Sequence, residues 1–383
     1  MIKPNKSQKN ILRCRVIKKV NGIPFDEFNK IFPCVPEGYY FFKTLDESKF
    51  DQFSFYYAVI YDTDQLVCVA PCFSVNYPLD TSINGPLRRL TNGVKKIFNN
   101  NFSIKALVCG IPMGQGNIGI TKGIPGLVET LESCMERLAK KIHAPIIAFK
   151  DFDQSYDDLL NPLLQSKFLK IDSLPLTRMQ LDFSNFDEYL KSLSSATRYD
   201  YRKKLKKAES IKIESSLVNT LDETTLDEVY ELYLQAIETH NMGFEIVPKQ
   251  FFRLISTNMP QETKFFLWRI DDKLVAFVLC LVSNGTLLDY YMGIDYTPAH
   301  EYHLYFVKFK EVLNWCLAQG VKTYEMGNSG YEPKRRLKFE FVPVYLYVKA
   351  RSPILRPFIK ILYSLLKLKN FDQELKRWKK SLK

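Results

Sequence analysis

The sequence predicts a mixed α/β protein built from two similar halves and closed by a basic helical tail. Three observations carry this. Each half runs through an antiparallel hairpin, a helix and then a short strand. The chain has 383 residues, more than one ordinary core serves, so two domains are expected. Hydrophobic residues make up 46% and aromatics 14%, enough for packed cores and too much for a disordered chain.

Residues 1–20 form a polar lead. The opening MIKPNKSQKN is lysine-rich and has no apolar h-region, so it does not read as a secretion signal. No window of about 18 apolar residues occurs, so no membrane span and a cytoplasmic location are expected. The first half is placed at 21–175. Tyr39–Phe42, Phe55–Tyr61 and Leu66–Val75 read as strands by their aromatic and β-branched content, the last two joined by the polar turn Asp62-Thr63-Asp64. A Gly/Pro/Asn-rich stretch over 84–126 encloses a strand at Ile104–Cys109. Leu127–Ile142 has helical spacing, Pro145–Phe149 is a short buried strand, and Tyr156–Ser166 is a further short helix.

The second half is placed at 176–350 and opens with a strand at Leu176–Leu181. Asp187–Leu193 and Thr197–Glu209 are helices, the latter with Ser194 or Ser195 available as its cap. Ile211–Leu217 is a strand; Leu226–His240 and Lys249–Ser256 are amphipathic helices. Three strands follow at Phe265–Ile270, Leu274–Val282 and Thr286–Gly293, separated by Asp271-Asp272 and Asn284-Gly285, the second a strong hairpin signal. A long helix, Tyr302–Gln319, stops at Gly320. Thr323–Met326 and Val342–Val348 are the last strands. A helix between parallel neighbours implies a right-handed crossover and a mixed sheet.

Eight cysteines lie mostly in apolar runs, with no C-x-x-C pair, so buried reduced thiols are expected. Of four histidines only His300 and His303 are close in sequence, and no metal site is expected. The net charge of +12 is concentrated in two places. Arg198–Lys207 holds six basic residues, and 351–383 holds ten Lys/Arg against Asp372 and Glu374. In the tail, Phe371, Leu375, Trp378 and Leu382 share a stripe, and 354–368 is apolar with interspersed cations. Such a segment suits the surface of an anionic membrane, and equally suits packing on the domain.

Three segments resemble the GCN5-related N-acetyltransferase (GNAT) superfamily, and more narrowly its FemAB-like branch. They are Tyr189–Glu209 (YLKSLSSATRYDYRKKLKKAE), the strand and long helix of Leu287–Gly320, and Tyr324–Val348 (YEMGNSGYEPKRRLKFEFVPVYLYV). The resemblance covers most of 175–350 and, by element order alone, 38–170. It implies two tandem GNAT-like units, the first degenerate, and transfer of an acyl group from acyl-CoA, such as acetyl-CoA, to an amine of a small molecule or cell-envelope precursor.

By resemblance the start of the crossover helix grips the donor's pyrophosphate, where free N–H groups and the positive dipole end suit an anion. The stretch Asp295–Tyr302 lacks the family's glycines; Gly293 precedes it, Thr297 is a candidate cap and Pro298 a first helical residue. Gly327, Asn328 and Ser329 form a loop before Lys334 and Arg335, candidates for holding the donor's charged part. Arg198, Arg202 and Lys206 share a helix face suited to phosphates, RNA backbone or lipid heads alike. Asp289, Tyr291 and Tyr331 are catalytic candidates, and Glu245 and Tyr290 candidate acceptor contacts. The alternatives are a FemAB-type enzyme using aminoacyl-tRNA, disfavoured because no long helical hairpin interrupts 211–230, and a catalytically inactive membrane- or RNA-binding module.

Overall fold

The computed structural model describes residues 12–78, 103–239, 246–328, 330–356 and 373–381. Among these, two compact units are formed from interleaved stretches: 12–33, 51–172 and 345–356 in the first, 34–50, 173–344 and 373–381 in the second.

The first unit is a sheet in the order β1 (Leu12–Ile17), β2 (Phe53–Asp62), β3 (Gln65–Pro78), β4 (Ser103–Cys109), β6 (Ile146–Asp153), β15 (Val344–Ala350) and β7 (Leu169–Asp172), with the two-residue β5 (Gly119–Ile120) alongside β3. Helix α1 (Phe25–Ile31) precedes β2. β4 and β6 run parallel, joined by α3 (Leu127–Lys141). Leu127, Leu131, Cys134, Met135 and Leu138 fall on one face of α3 at helical spacing and are buried against the sheet. Short helical turns over 154–166 lead into β7.

In the second unit the sheet order is β14 (Glu340–Val342), β8 (Leu176–Gln180), β13 (Thr323–Met326), β12 (Thr286–Ile294), β11 (Lys273–Ser283), β10 (Thr263–Ile270) and β9 (Glu214–Val218). Helices α4 (Phe186–Ser192), α5 (Ser195–Ala208) and α9 (Leu304–Ala318) cover one face, where Tyr189, Tyr201, Phe309 and Tyr324 form the core. Asn185 caps α4 and Ser194 caps α5 through the N–H groups of Glu188 and Thr197. The other face carries α6 (Glu223–Thr239), α7 (Lys249–Asn258) and α2 (Tyr39–Glu47). β12 and β13 are parallel and are joined by α8 (Tyr296–Tyr302) and α9.

Several expectations are corrected. Tyr39–Phe42 is the start of a helix: Phe41, Phe42, Thr44 and Leu45 are buried at helical spacing, and Phe41 meets Phe251 of α7 at 6.2 Å. Packing against a helix outweighs the strand preference of an aromatic run. The crossover begins as two helices, because His303 takes a left-handed conformation (φ 54°) between α8 and α9. Asp295, not Thr297, caps α8; its Oδ1 accepts the Thr297 N–H at 3.1 Å, and Pro298 is the third helical residue instead of the first. The last strand, expected in the second half, joins the first unit's sheet beside β6 and β7. Not all the thiols are reduced: Cys14 of β1 and Cys134 of α3 form a disulfide, which a sequence separation of 120 residues concealed.

The tail's apolar stripe is used within the second unit. Leu375 of α11 (Gln373–Ser381) is buried with Tyr331 and Phe341, and Trp378 meets the Phe341 ring at 5.7 Å. Phe371, Leu382 and most of 354–368 lie outside the described residues. No helix among the described residues is long and apolar enough to cross a membrane.

Candidate functional site

The site is created by a parting of two strands. β12 pairs with β13 only from Thr286 opposite Thr323 to Asp289 opposite Met326, where β13 ends. Against β11 the register slips: Asp289 faces Cys280 and Tyr291 faces Leu279, leaving Tyr290 as the extra residue of a bulge. A bulge bends its strand and sharpens its twist. Beyond Asp289, β12 therefore turns away with one edge unpaired among the described strands. The wedge so opened has Tyr290 on one lip and Gly327 on the other. At Gly327 an added Cβ would meet no atom within 4 Å, so the backbone there is open to approach.

On the α9 side, polar groups are buried beneath this wedge. Asp289 accepts a hydrogen bond from Lys308 Nζ at 2.6 Å and from the Tyr324 hydroxyl at 3.1 Å. Burial alone would lower the Lys308 amine, but Asp289 and Tyr305 outweigh it and raise the amine. A second lysine comes from α10 (Tyr331–Arg336), which starts at Gly330 in a left-handed conformation (φ 64°). The Tyr331 hydroxyl donates to the Pro175 carbonyl at 3.0 Å, fixing the helix so that Lys334, 6% exposed, reaches the Gly327 carbonyl. Desolvation brings the Lys334 amine down to about 7; Asp289 opposes the change and Lys308 adds to it. Near neutrality this amine can both give and take a proton.

Strand alternation puts Glu325 on the face opposite Tyr324. It pairs with Arg178 of β8 at 2.6 Å. Glu37, just before α2 and 5% exposed, lies within electrostatic reach of Glu325. Burial, with Glu325 adding to it, pushes the Glu37 carboxyl up to about 7. Its segment is held by Asn284, whose amide donates to the Cys34 carbonyl at 3.0 Å. One turn on, Phe41 meets the Tyr290 ring edge-on at 5.6 Å. Tyr291 adjoins Tyr290 at 5.0 Å and is enclosed by Tyr233, Phe251 and Phe252. An aromatic wall thus borders a buried carboxyl on this side of the bulge.

At the start of α9 the first-turn N–H groups emerge from His303. Helix α5 runs alongside: the Tyr201 hydroxyl donates to the Phe306 carbonyl at 2.8 Å, and Lys204 Nζ lies 4.1 Å from the Phe306 ring centre. Desolvation lowers the His303 imidazole, and the charges of Lys204 and Lys207 lower it further. Lys204 also pairs with Asp200 at 2.8 Å, and Asp200 partly offsets the effect on His303, so the positive end of α9 is flanked by a mixed but net basic set of side chains, a setting suited to phosphate.

The structure gathers Asp289, Tyr290, Gly327 and Lys334 at one wedge. Other sequence candidates have structural employment. Gly293 is a packing glycine, since a Cβ there would come 2.4 Å from Phe277 and 2.7 Å from the Leu232 backbone. Arg198 bonds the carbonyls of Lys191 and Leu193, Arg335 pairs with Glu374, and Tyr331 anchors α10. Arg202 and Asn328 are exposed, and Thr297 lies in the first turn of α8. Glu245 and Ser329 lie outside the described residues. Glu37, Lys308 and Lys204 were missed. Glu37 stands between Pro36 and Gly38, which reads as a polar turn; Lys308, flanked by Val307 and Phe309 in the LYFVKFKEVL run that also holds Lys310 and Glu311, gave only a weak signal. Among the described residues no three His, Cys, Asp or Glu side chains group as metal ligands.

A family profile described as an acetyltransferase (GNAT) domain matches residues 195–335. Three solved structures share the architecture. A tandem GNAT protein from the clavulanic acid biosynthesis pathway aligns with TM-score 0.53 and 10% identity over 90% of this chain and 99% of its own. FemX aligns at 0.51 and 12%, over 80% and 90%. L-PGS from Bacillus licheniformis aligns at 0.50 and 11%, over 81% and 89%. At such identities the likeness is one of fold. No curated protein matches the sequence at a significant level.

Proposed function

We propose that this chain is a GNAT-type acyltransferase of the FemAB-like kind, which moves an acyl group from acyl-CoA to an amine of a small molecule or cell-envelope precursor; the profile match over 195–335 and the shared tandem fold support this reading. The observation that carries the donor assignment is the wedge between β12 and β13. An extended amide-containing chain can pair there with the open edge of β12 while its phosphates meet the start of α9. The residues fit such a donor despite the missing glycines. His303 takes the left-handed conformation a glycine would otherwise supply, and Lys207 adds positive charge beside Lys204, which is shared with Asp200.

Acyl-CoA supplies an activated thioester. The chain's own residues then have distinct roles. Glu37, as carboxylate, takes the proton that the acceptor amine gives up when its nitrogen bonds the acyl carbon. Lys334, as ammonium, gives a proton to the departing thiolate, and solvent exchange resets both groups. Each is held near 7, where general acid–base transfer is most effective. The Tyr290–Tyr291–Phe41 wall excludes water from the acceptor side.

Calorimetry with acetyl-CoA and longer acyl-CoAs tests the reading. Saturable binding, weakened by Lys334→Ala and by Lys204→Ala, is expected. Salt-sensitive tRNA binding without CoA binding would replace it with the aminoacyl-tRNA alternative. That alternative draws its support from the exposed cations Arg202, Lys203, Lys206 and Lys207 on α5.

A further inference from the structure

We propose that the first unit carries a second, separate site, which binds a phosphate monoester anion in a charged cavity beside α3. The cavity, about 410 Å³, is bounded by α3, the end of the helical turns at Ser166, and the segment running from β15 to Arg356.

Its floor is electrically balanced. Lys349 Nζ lies 2.9 Å from Glu132 and 2.7 Å from Glu136, and Arg351 Nε lies 2.8 Å from Glu136. Arg351 also donates to the Ala144 carbonyl at 3.3 Å. Two cations are thus matched to two carboxylates. Two further lining cations, Lys167 and Arg356, have no acidic partner among the described residues. Together they leave a surplus of two positive charges, the complement of a phosphate dianion.

The stronger sign is Arg356 itself. Its Nε is buried and has no hydrogen-bond partner. Leaving a buried charged donor unsatisfied is costly, and a bound anion is one arrangement that would satisfy it. A guanidinium in this position presents a fork of donors suited to two oxygens of one oxyanion. Lys167, exposed at the cavity's rim, closes the preceding helical turn in a left-handed conformation (φ 71°). The Ser166 hydroxyl, also lining the cavity, adds a neutral donor. The Glu132 and Glu136 carboxylates are engaged by Lys349 and Arg351, so they do not repel the anion in full. A phosphate monoester can come from a soluble metabolite or from the headgroup of a phosphatidic acid, and the same contacts serve both. The site requires nothing from the acyl-transfer reading.

The full chain is titrated with inorganic phosphate by calorimetry and sedimented with phosphatidylcholine vesicles with and without phosphatidic acid. Binding is expected in at least one arm, weakened about tenfold or more by Arg356→Gln and by Lys167→Gln. Arg356→Lys should weaken it less, and Lys140→Gln, on an exposed part of α3, should leave it unchanged. Binding of free phosphate alone assigns a soluble ligand; binding only to phosphatidic acid vesicles, with the same dependence on Arg356, assigns a lipid headgroup. Circular dichroism of each variant establishes that it is folded. No binding in either arm, or binding that folded Arg356→Gln and Lys167→Gln variants retain undiminished, would overturn the proposal.

Discussion

Lys308 and Asp289 form an ion pair 2.6 Å apart, almost wholly buried, beneath the point where β12 and β13 separate. Isolated from water, either charge alone would be strongly unfavourable, so each requires the other. Asp289→Asn is expected to destabilise the chain by about 3 kcal/mol or more, because it strands the Lys308 ammonium. The double variant Asp289→Asn/Lys308→Met should recover much of that loss. Urea unfolding of the two single variants and the double variant measures the coupling, and additive effects would refute it.

Glu37 gives a prediction for pH. Its carboxyl rises from 4.5 to about 7 on folding, with Glu325 facing it and Arg178 engaged by Glu325. The folded state therefore keeps a proton that the unfolded state has already lost. Its contribution is fully present below pH 4.5 and is lost as pH rises through 7. A difference of that size corresponds to roughly 3 kcal/mol. Glu37→Gln should flatten stability between pH 4.5 and 7, and should lower kcat/KM about 10²- to 10⁴-fold with loss of the ascending limb near pH 7. An unchanged pH–rate profile would remove Glu37 from the reaction.

Lys334 behaves in the opposite sense. Its amine falls from 10.5 to about 7 on folding, between Asp289, which favours the charge, and Lys308, which opposes it. Stability from this group is complete above pH 10.5 and is lost as pH falls towards 7. Between those limits the folded chain gains at most about 1.4 kcal/mol per pH unit from this residue. Lys334→Met should remove that slope in denaturant titrations at pH 7.5, 8.5 and 9.5, and should reduce turnover.

Gly293→Ala tests the reading of that glycine as a packing device. The added methyl would meet the Phe277 ring and the Leu232 backbone well inside contact distance, so α6 must shift from the sheet. A loss of about 1–3 kcal/mol is expected. Donor affinity per folded molecule should change little, as the position is not in the wedge.

Much of the second unit was legible. The three apolar strand runs of β10 to β12 with their Asn284-Gly285 turn, the Ser194 cap, and the oddity of an aspartate among Leu and Tyr neighbours were all visible locally. What escaped notice depends on distant partners. Asp289 could be singled out as unusual, but Lys308, nineteen residues on, reads as a solvent-facing helix lysine until its helix is docked. Glu37 and α2 belong to the second unit although more than a hundred residues separate them from β8, so the burial of Glu37 could not be read from its sequence neighbours. The return of β15 to the first sheet and the Cys14–Cys134 link are likewise matters of topology rather than composition.

The most direct test is a crystal structure of the chain with acetyl-CoA. The account predicts the pantetheine arm threaded between β12 and β13, its amides paired with the edge beyond Asp289, its phosphates at His303 and Lys204, and its thioester between Lys334 and Glu37. A ligand bound elsewhere, with the space between Tyr290 and Gly327 filled by packed side chains, would contradict it.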